Sequence, residues 1–331
     1  MDYPRLSLPE AAARIREGVK TLILFHRHPD GDAIGSGFAL KILLEQMGGH
    51  ALCACDDEIP DRLRFLVGDM QASVKIENLP EDFCPEQIIT VDTASPAQAG
   101  ELYSRFEGRI DLMIDHHAKG ELYAAGWVDG SASSAGELIY RLSRELVRTG
   151  RISFVTAETD RLLYAAVSSD TGCFRYENAS PSAHRAAADL MEAGFDVADV
   201  NHQLFGVKSH KLMLAEKLGF ERLHLYADGQ IGIVDMPMSV KHANGLTDEH
   251  LDTLVEVARG LQGVRVAAAI RQSEGGIYRV SMRSSCHVDV AAICATFGGG
   301  GHVKAAGCTI TSDRGMEAIV DMVAEALAAA L

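Results

Sequence analysis

Three short apolar runs in the first half of the chain end abruptly in acidic and imidazole side chains. Leu22-Ile23-Leu24-Phe25 leads into His26-Arg27-His28-Pro29-Asp30-Gly31-Asp32, Ile88-Ile89-Thr90-Val91 into Asp92, and Leu112-Met113-Ile114 into Asp115-His116-His117. A fourth apolar segment, residues 162–167, precedes Ser168-Ser169-Asp170-Thr171-Gly172. Runs of this length, separated by helical segments, predict parallel strands. Periodicity alone leaves residues 159–167 open to a helix as well. Ligands bind such sheets beyond the carboxyl ends of the strands, so the pattern gathers carboxylates and imidazoles in one crevice.

Residues 33–47 have helical spacing, with Ile34, Phe38, Ile42 and Leu43 on one face and a stop at Gly48-Gly49. Residues 133–146 follow a serine pair and predict another helix. After Pro181 the alternation gives way to helices over 182–193 and 197–205, with Asp196 as a cap, and a further helical stretch at 210–218. Strands are then expected over 222–226, 230–235, 264–271 and 276–284, and helices over 247–262, 288–297 and 316–331. The fold class is α/β. A parallel-sheet domain is expected over residues 1–185, a helical linker over 186–220, and a smaller mixed-sheet domain over 221–331. A length of 331 residues suits two cores better than one.

Apolar residues make up 47% of the chain and charged residues 23%, which is ordinary for a globular protein. The apolar runs are too short to span a bilayer. No basic stretch leads into an apolar core at the N-terminus, so the expected location is the cytoplasm. Seven cysteines in irregular spacing, without a Cys-x-x-Cys pair, argue against a disulfide framework or a zinc ribbon. The formal net charge of −15 argues against general binding of long nucleic acid. It leaves room for a short phosphorylated substrate held by metals and a few arginines.

A lone aspartate after a strand is commonly a helix cap, and a lone histidine a surface group. The cluster is different. His26, Asp30 and Asp32 lie within seven residues on one turn, and Asp92, His116 and Asp170 come from three other element ends. Carboxylates brought this close repel unless a cation neutralises them. The set of oxygen and imidazole ligands without thiolate suits a hard, six-coordinate ion. Mn2+ fits best, with Mg2+ or Co2+ as alternatives. Two such ions, and hence a hydrolase, are the economical reading.

These residues resemble the four motifs of the DHH phosphoesterase superfamily: His26-x-x-Pro29-Asp30-x-Asp32-x-x-Gly35-Ser36, Val91-Asp92, Asp115-His116-His117 and Ser169-Asp170-Thr171-Gly172. Phe297-Gly298-Gly299-Gly300-Gly301-His302-Val303-Lys304-Ala305-Ala306-Gly307 resembles the glycine-rich signature of the accompanying DHHA1 domain. The resemblance implies one metal on His26, Asp30 and Asp92, a second on Asp32, Asp92, His116 and Asp170, and Asp92 as the bridge. It implies that Asp115 orients a neighbouring imidazole and that His117 faces the substrate phosphate. It further implies that the two metals activate a water for in-line attack on phosphorus. His28 falls outside the ligand positions and reads as a solvated neighbour.

Four glycines in a row read as a loop. Their place before His302 and Lys304, together with the resemblance, assigns Gly299, Gly300, Gly301 and His302 to phosphate binding. By the same resemblance Arg283 contacts a substrate phosphate, whereas Arg271 reads as a surface charge. Phe174 and Tyr176 are candidates for stacking on a base, Phe174 equally for the core.

The plan resembles the short members of the nano-RNase and adenosine-bisphosphate phosphatase type. That resemblance implies a Mn2+-dependent enzyme converting very short oligoribonucleotides to mononucleotides, and also acting on 3′-phosphoadenosine 5′-phosphate. The expected partners are these substrates, with no long nucleic acid and no membrane, and a homodimer is compatible with the sequence. The alternatives are a phosphodiesterase of linear or cyclic dinucleotides and a metal-dependent nucleotide sensor without turnover.

Overall fold

The apolar runs of the first half become strands because Val, Ile and Leu dominate them and helices cover the sheet. The computed structural model describes residues 3–68, 70, 74–75, 79–80 and 82–331. Its first sheet contains β1 (Lys20–Leu24), β2 (His50–Cys55), β3 (Val74–Lys75), β4 (Gln87–Val91), β5 (Leu112–Asp115) and β6 (Gly126–Val128). The order is β3-β2-β1-β4-β5-β6, and every pairing is parallel. The connections leave β1 towards β2 on one side and resume at β4 on the other. The carboxyl ends of β1 and β4 therefore flank the switch point of the sheet, where an open α/β sheet forms its crevice.

The helices of this part are α1 (Leu8–Arg14), α2 (Gly31–Gln46), the short α3 (Arg64–Val67), α4 (Pro96–Ala99) and α5 (Glu101–Phe106), then α6 (Ala135–Arg148), α7 (Ala157–Asp170), α8 (Pro181–Met191) and α9 (Val197–Asn201). Ile34, Phe38 and Leu40 of α2 share a core with Leu138 and Leu142 of α6, Leu162 and Leu163 of α7, and Ile23, Ile89 and Ile114 of the sheet. The expected single apolar face of α2 is too narrow, because residues 31–40 are all buried. α7 presses so close that a Cβ on Gly35 would lie 2.5 Å from the Leu162 carbonyl oxygen.

The fourth apolar run is not a strand. It lies inside α7, which Thr156 caps by accepting the Thr159 N–H. Leu162 and Leu163 both reach the shared core from that helix.

The chain divides into two compact units, residues 1–207 and 208–331. The second unit holds a mixed sheet of β7 (Leu223–Tyr226), β8 (Ile231–Met236), β9 (Val266–Ser273), β10 (Ile277–Ser284), β11 (Gly300–His302) and β12 (Ala305–Thr311), in the order β11-β12-β10-β9-β8-β7. Only β8 and β9 pair in parallel.

The helices of the second unit are α10 (His210–Glu221), α11 (Met238–Asn244), α12 (Leu254–Arg259), α13 (Val290–Thr296) and α14 (Met316–Ala328). Tyr278, Val280 and Met282 of β10 face a core with Ile293 and Ile319, whereas Ala267 and Ala269 of β9 face Leu254 and Ala258 of α12. The expected helix over 247–262 is broken into a 3-10 turn, Asp248–Leu251, and α12. The glycine run does not form a plain loop: residues 300–302 pair with β12. Among the described residues no helix is long and apolar enough to cross a membrane.

Candidate metal centre

β1 ends at Leu24, and Asp30 then opens α2 by accepting the N–H groups of Asp32 and Ala33, each at 3.0 Å. Asp30 is thus the cap of this helix and Asp32 lies in its first turn. His26 donates from Nδ1 to the Arg27 carbonyl at 2.8 Å. That bond fixes the ring and turns Nε2 inward, towards Asp92 Oδ2 at 3.3 Å and Asp30 Oδ1 at 3.8 Å. Orientation of a ligating imidazole by a carbonyl on its other nitrogen is common behind metal sites. His28 points away and pairs with Asp57.

β4 delivers Asp92 with a positive φ of 55°, an uncommon conformation for a residue with a side chain. Its carboxylate is buried and faces two ways. Oδ2 is nearest His26, and Oδ1 lies 3.4 Å from Nε2 of His116. Oδ1 has no hydrogen-bond partner. β5 ends in Asp115, whose Oδ1 accepts from His117 Nδ1 at 2.8 Å. The imidazole that Asp115 orients is therefore that of His117. His116 stands 3.7 Å from both Asp32 and Asp170. Asp170 is the last residue of α7, a helix end rather than a strand end.

Three groups of ligand atoms come within metal-binding reach: His26, Asp30 and Asp92; Asp92, His116 and His117; and Asp32, His116 and Asp170. The donors fit a cation. Nitrogens and carboxylate oxygens meet mostly beyond hydrogen-bond length, and one buried oxygen of Asp92 is unsatisfied, although buried polar atoms are normally paired. Two groups share Asp92 and two share His116. All six residues expected as ligands occur in these groups, whereas Asp115 lies outside them and holds His117. His117 lies close enough to Asp92 to join the ligands as well.

The charges are strongly coupled. Burial opposes a charged His116, yet the carboxylate of Asp92, then Asp32 and Asp170, lift its pKa to about 11. Burial is likewise outweighed at His26, where Asp30 and Asp92 hold the imidazole well above its usual range. Asp92 is held low against its burial by His116 and His26. Asp32 is pushed well up by burial and by the charges of Asp92 and Asp170, and burial raises Asp170 to about 7. Positive charge is what this crevice lacks, and protons on the imidazoles supply it in part.

Sequence reasoning missed the groups that hold Asp32 and Asp170. The two oxygens of Asp32 accept the N–H groups of Ala135 and Gly136 at 2.7 and 2.8 Å. The free N–H groups of the first turn of α6 thus cradle a carboxylate of α2. Gly136 is required there, because a Cβ would lie 2.4 Å from that of Ala166. Asn178 donates to the Ser133 carbonyl at 2.9 Å and to the Asp170 carbonyl at 3.1 Å. Glu137, fully buried, takes the N–H and hydroxyl of Ser133 at 2.8 Å and the hydroxyl of Ser182 at 2.6 Å. The Ser133-Ser134-Ala135-Gly136 run was the only local signal of this network.

In the second unit Arg283 lies on β10 opposite Ala305, and Ala305 lies opposite His302 of β11. The register therefore brings Arg283 and His302 to either side of one alanine. Gly299 can carry no side chain, since a Cβ would lie 2.2 Å from the Gly307 carbonyl oxygen. Gly300 pairs with Gly307 and Gly301 with Ala306. Of the proposed aromatic residues, Phe174 packs with the core and stacks on His184 at 5.0 Å, while Tyr176 is exposed and lies over Gly172.

Residues 20–167 match the family model described as the DHH family, N-terminal domain, and residues 235–329 match the DHHA1 domain. The chain belongs to the DHH phosphoesterase superfamily. Over 313 residues it is 29% identical to the bifunctional oligoribonuclease and PAP phosphatase NrnA of Thermus thermophilus, covering 92% of this chain and 89% of the relative. Identity to the Bacillus subtilis protein of the same name is 28% over 302 residues, covering 88% and 90%. An exopolyphosphatase-related protein from Bacteroides fragilis shares the fold, with a TM-score of 0.84 at 21% identity over 95% of this chain and 92% of that one.

Proposed function

We propose that this DHH–DHHA1 protein is a two-metal phosphoesterase that hydrolyses very short oligoribonucleotides to mononucleotides and also removes the 3′-phosphate of 3′-phosphoadenosine 5′-phosphate. The observation that carries this reading is Asp92. Its two oxygens address two separate histidines, and one oxygen accepts no hydrogen bond. A carboxylate so placed suits a bridge between two cations. The names of the Thermus and Bacillus relatives supply the substrate class.

In this reading His26, Asp30 and Asp92 hold one ion, and Asp32, Asp92, His116 and Asp170 hold the other. Mn2+ is favoured by the donor set, with Mg2+ or Co2+ as alternatives. When bound, two such ions lower the pKa of a shared water and offset charge on phosphoryl oxygens. The rest falls to the chain itself. Asp115 holds His117 by its Nδ1, and in this reading the His117 imidazole hydrogen-bonds a phosphoryl or leaving oxygen and passes it a proton. Asp115 also raises the pKa of His117 against its burial, which keeps that proton available. The α6 N-terminus holds Asp32, and Asn178 steadies the end of α7 that carries Asp170. Arg283, His302 and the glycines 299–301 would hold a second phosphate, with backbone approach where Cβ atoms are absent.

The test is product analysis with the purified, manganese-loaded protein. Expected substrates are 5′-phosphorylated dinucleotides and 3′-phosphoadenosine 5′-phosphate, with mononucleotides and AMP as products. Exclusive turnover of a cyclic dinucleotide would replace the substrate class. Metal-dependent binding without turnover of any of these would identify a sensor.

A further inference from the structure

We infer that Glu137 is a positioning residue for one of the two proposed ions: through Ser133 it fixes both Asp32 and Asp170, and it spares the site of His26 and Asp30. The inference rests on the two-ion reading above and goes beyond it, because the hydrogen bonds of the Glu137 carboxylate go to Ser133, Ser182 and Arg141 and to none of the ligands.

A carboxylate without exposed surface destabilises the fold unless donors surround it. Glu137 is such a group. Its Oε2 accepts the N–H and the hydroxyl of Ser133, each at 2.8 Å. Its Oε1 accepts the Ser182 hydroxyl at 2.6 Å and an N–H of Arg141. Burial opposes the charge, yet the Ser133 amide, the two serine hydroxyls and Arg141 hold the carboxyl below its usual range. A glutamate at the third position of a helix ordinarily reaches back to the N–H of the capping residue. Here the cap is Ser134, whose hydroxyl takes the Glu137 N–H at 3.0 Å. The glutamate side chain reaches one residue further, to Ser133.

Two routes lead from Ser133 to metal ligands. The first is the helix turn that follows it. The N–H groups of Ala135 and Gly136 hold the two oxygens of Asp32 at 2.7 and 2.8 Å. With Ser133 pinned by Glu137 and Ser134 capping, this turn cannot shift without carrying Asp32 along. The second route is the Ser133 carbonyl, which accepts from Asn178 Nδ2 at 2.9 Å. The same nitrogen reaches the Asp170 carbonyl at 3.1 Å and Asp170 Oδ2 at 3.5 Å. Asp32 and Asp170 each stand 3.7 Å from Nε2 of His116. One buried carboxylate thus governs two of the three side chains that meet there.

The other site is supported locally. Asp30 is held by the amides of Asp32 and Ala33, and His26 by the Arg27 carbonyl. These bonds all lie within residues 26–33, and none passes through α6. Displacing Ser133 therefore acts on one site only. Loss of a group that holds a metal ligand in place typically lowers metal affinity about 10- to 100-fold. Glu137→Gln keeps the side-chain volume, and Arg141 retains Asp129 at 2.7 Å. An amide has a single accepting oxygen, so it cannot serve Ser133 on one side and both Ser182 and Arg141 on the other.

The experiment titrates the full-length protein with Mn2+ in the absence of substrate and follows the free ion by electron paramagnetic resonance. Two backgrounds isolate the sites. Asp30→Asn leaves the site of Asp32, His116 and Asp170, and Asp170→Asn leaves that of His26 and Asp30. Adding Glu137→Gln to the first is expected to weaken Mn2+ binding at least about tenfold, and adding it to the second should leave binding unchanged. Asn178→Ala, which breaks only the second route, should weaken the first background and spare the other. Ser182→Ala removes a bond of Glu137 that leads to no ligand and should leave both as they are. Equal weakening of the two backgrounds by Glu137→Gln, or none in either, overturns the inference. So does a Ser182→Ala as damaging as Glu137→Gln. If Glu137→Gln does not fold, Asn178→Ala decides: no loss in the Asp30→Asn background overturns the inference. A wild type that takes up a single Mn2+ overturns the two-ion reading and the inference together. The substrate class stands apart, and fails if the manganese-loaded wild type releases no mononucleotide from a dinucleotide.

Discussion

In the first unit, Asp32, Asp92 and Asp115 are almost wholly buried at the ends of α-helical and β-strand elements, and every one is held by backbone or imidazole. In the second unit, Arg279 is exposed and Arg283 half-buried on a row of β10 whose β12 partners are small. The first arrangement accepts large desolvation costs and answers them with fixed donors, which moves pKa values in both directions. The second keeps its charges in contact with water. Chemistry needs preorganised groups whose proton affinities have been moved. Affinity for a mobile polyanion needs charge at the surface, where it can exchange one counterion for another. In the proposed function, the division of labour between the units follows from where each puts its charge.

The strongest way to break this contrast is at Asp92. Asp92→Ala is expected to lower turnover by at least about 10^3-fold, the scale of losing a preorganised electrostatic group, and to reduce bound manganese at both sites. Near-wild-type rates in the metal-loaded variant, with metal counted by atomic emission, would remove Asp92 from the bridge. Next come the adjacent histidines. His116→Ala should reduce metal content, because its Nε2 faces three carboxylates. His117→Ala should keep most of the metal and lower kcat by about 10^2-fold, the usual size of a general acid–base contribution. Equal metal loss in both would place His117 among the ligands, a role its 3.8 Å approach to Asp92 also allows.

A smaller effect is expected in the second unit. Arg283→Ala should raise KM for a 5′-phosphorylated dinucleotide about tenfold with little change in kcat, since it removes binding made before the chemical step. A loss confined to kcat would contradict a purely binding role for that surface. Smallest is Asp248→Asn. Lys241 lies beside Asp248 and holds its carboxyl below the usual range against partial burial. A depressed carboxylate contributes stability above its unfolded pKa and loses it as pH falls through the folded one. The variant should therefore be less stable than wild type at pH 7 by no more than about 1 kcal/mol, given the exposure of Asp248. The gap should close in acid below the unfolded carboxylate value. A gap that widens in acid would show that Lys241 is held by something else.

What the sequence made legible depended on how local the signal was. His26, Asp30, Asp92, Asp115, His116 and His117 follow apolar runs that are strands, so run and residue point the same way. Asp170 was legible as a residue, but the run before it is helical, and length and periodicity do not separate the two at that size. The α6 amides on Asp32 join positions 103 and 104 residues apart, and no short pattern records such a pairing. β2 and β12 escaped for a different reason. His50–Cys55 and Ala305–Thr311 are mixtures of small and sulfur-bearing residues with weak strand preference, and their partners in the sheet define them. The glycine run read as a loop because glycine has no periodicity, yet β12 gives it a strand's register.

The left-handed backbone at Asp92 carries a consequence for how such a protein ages in evolution. A residue with a side chain held at positive φ in a buried, acidic crevice works against the folded state. Glycine at the same position would relax the backbone and delete a buried charge in one codon change. A lineage no longer selected for catalysis would find added thermal stability waiting at its most important residue. In the proposed function, the aspartate of this chain is kept there by turnover and not by folding.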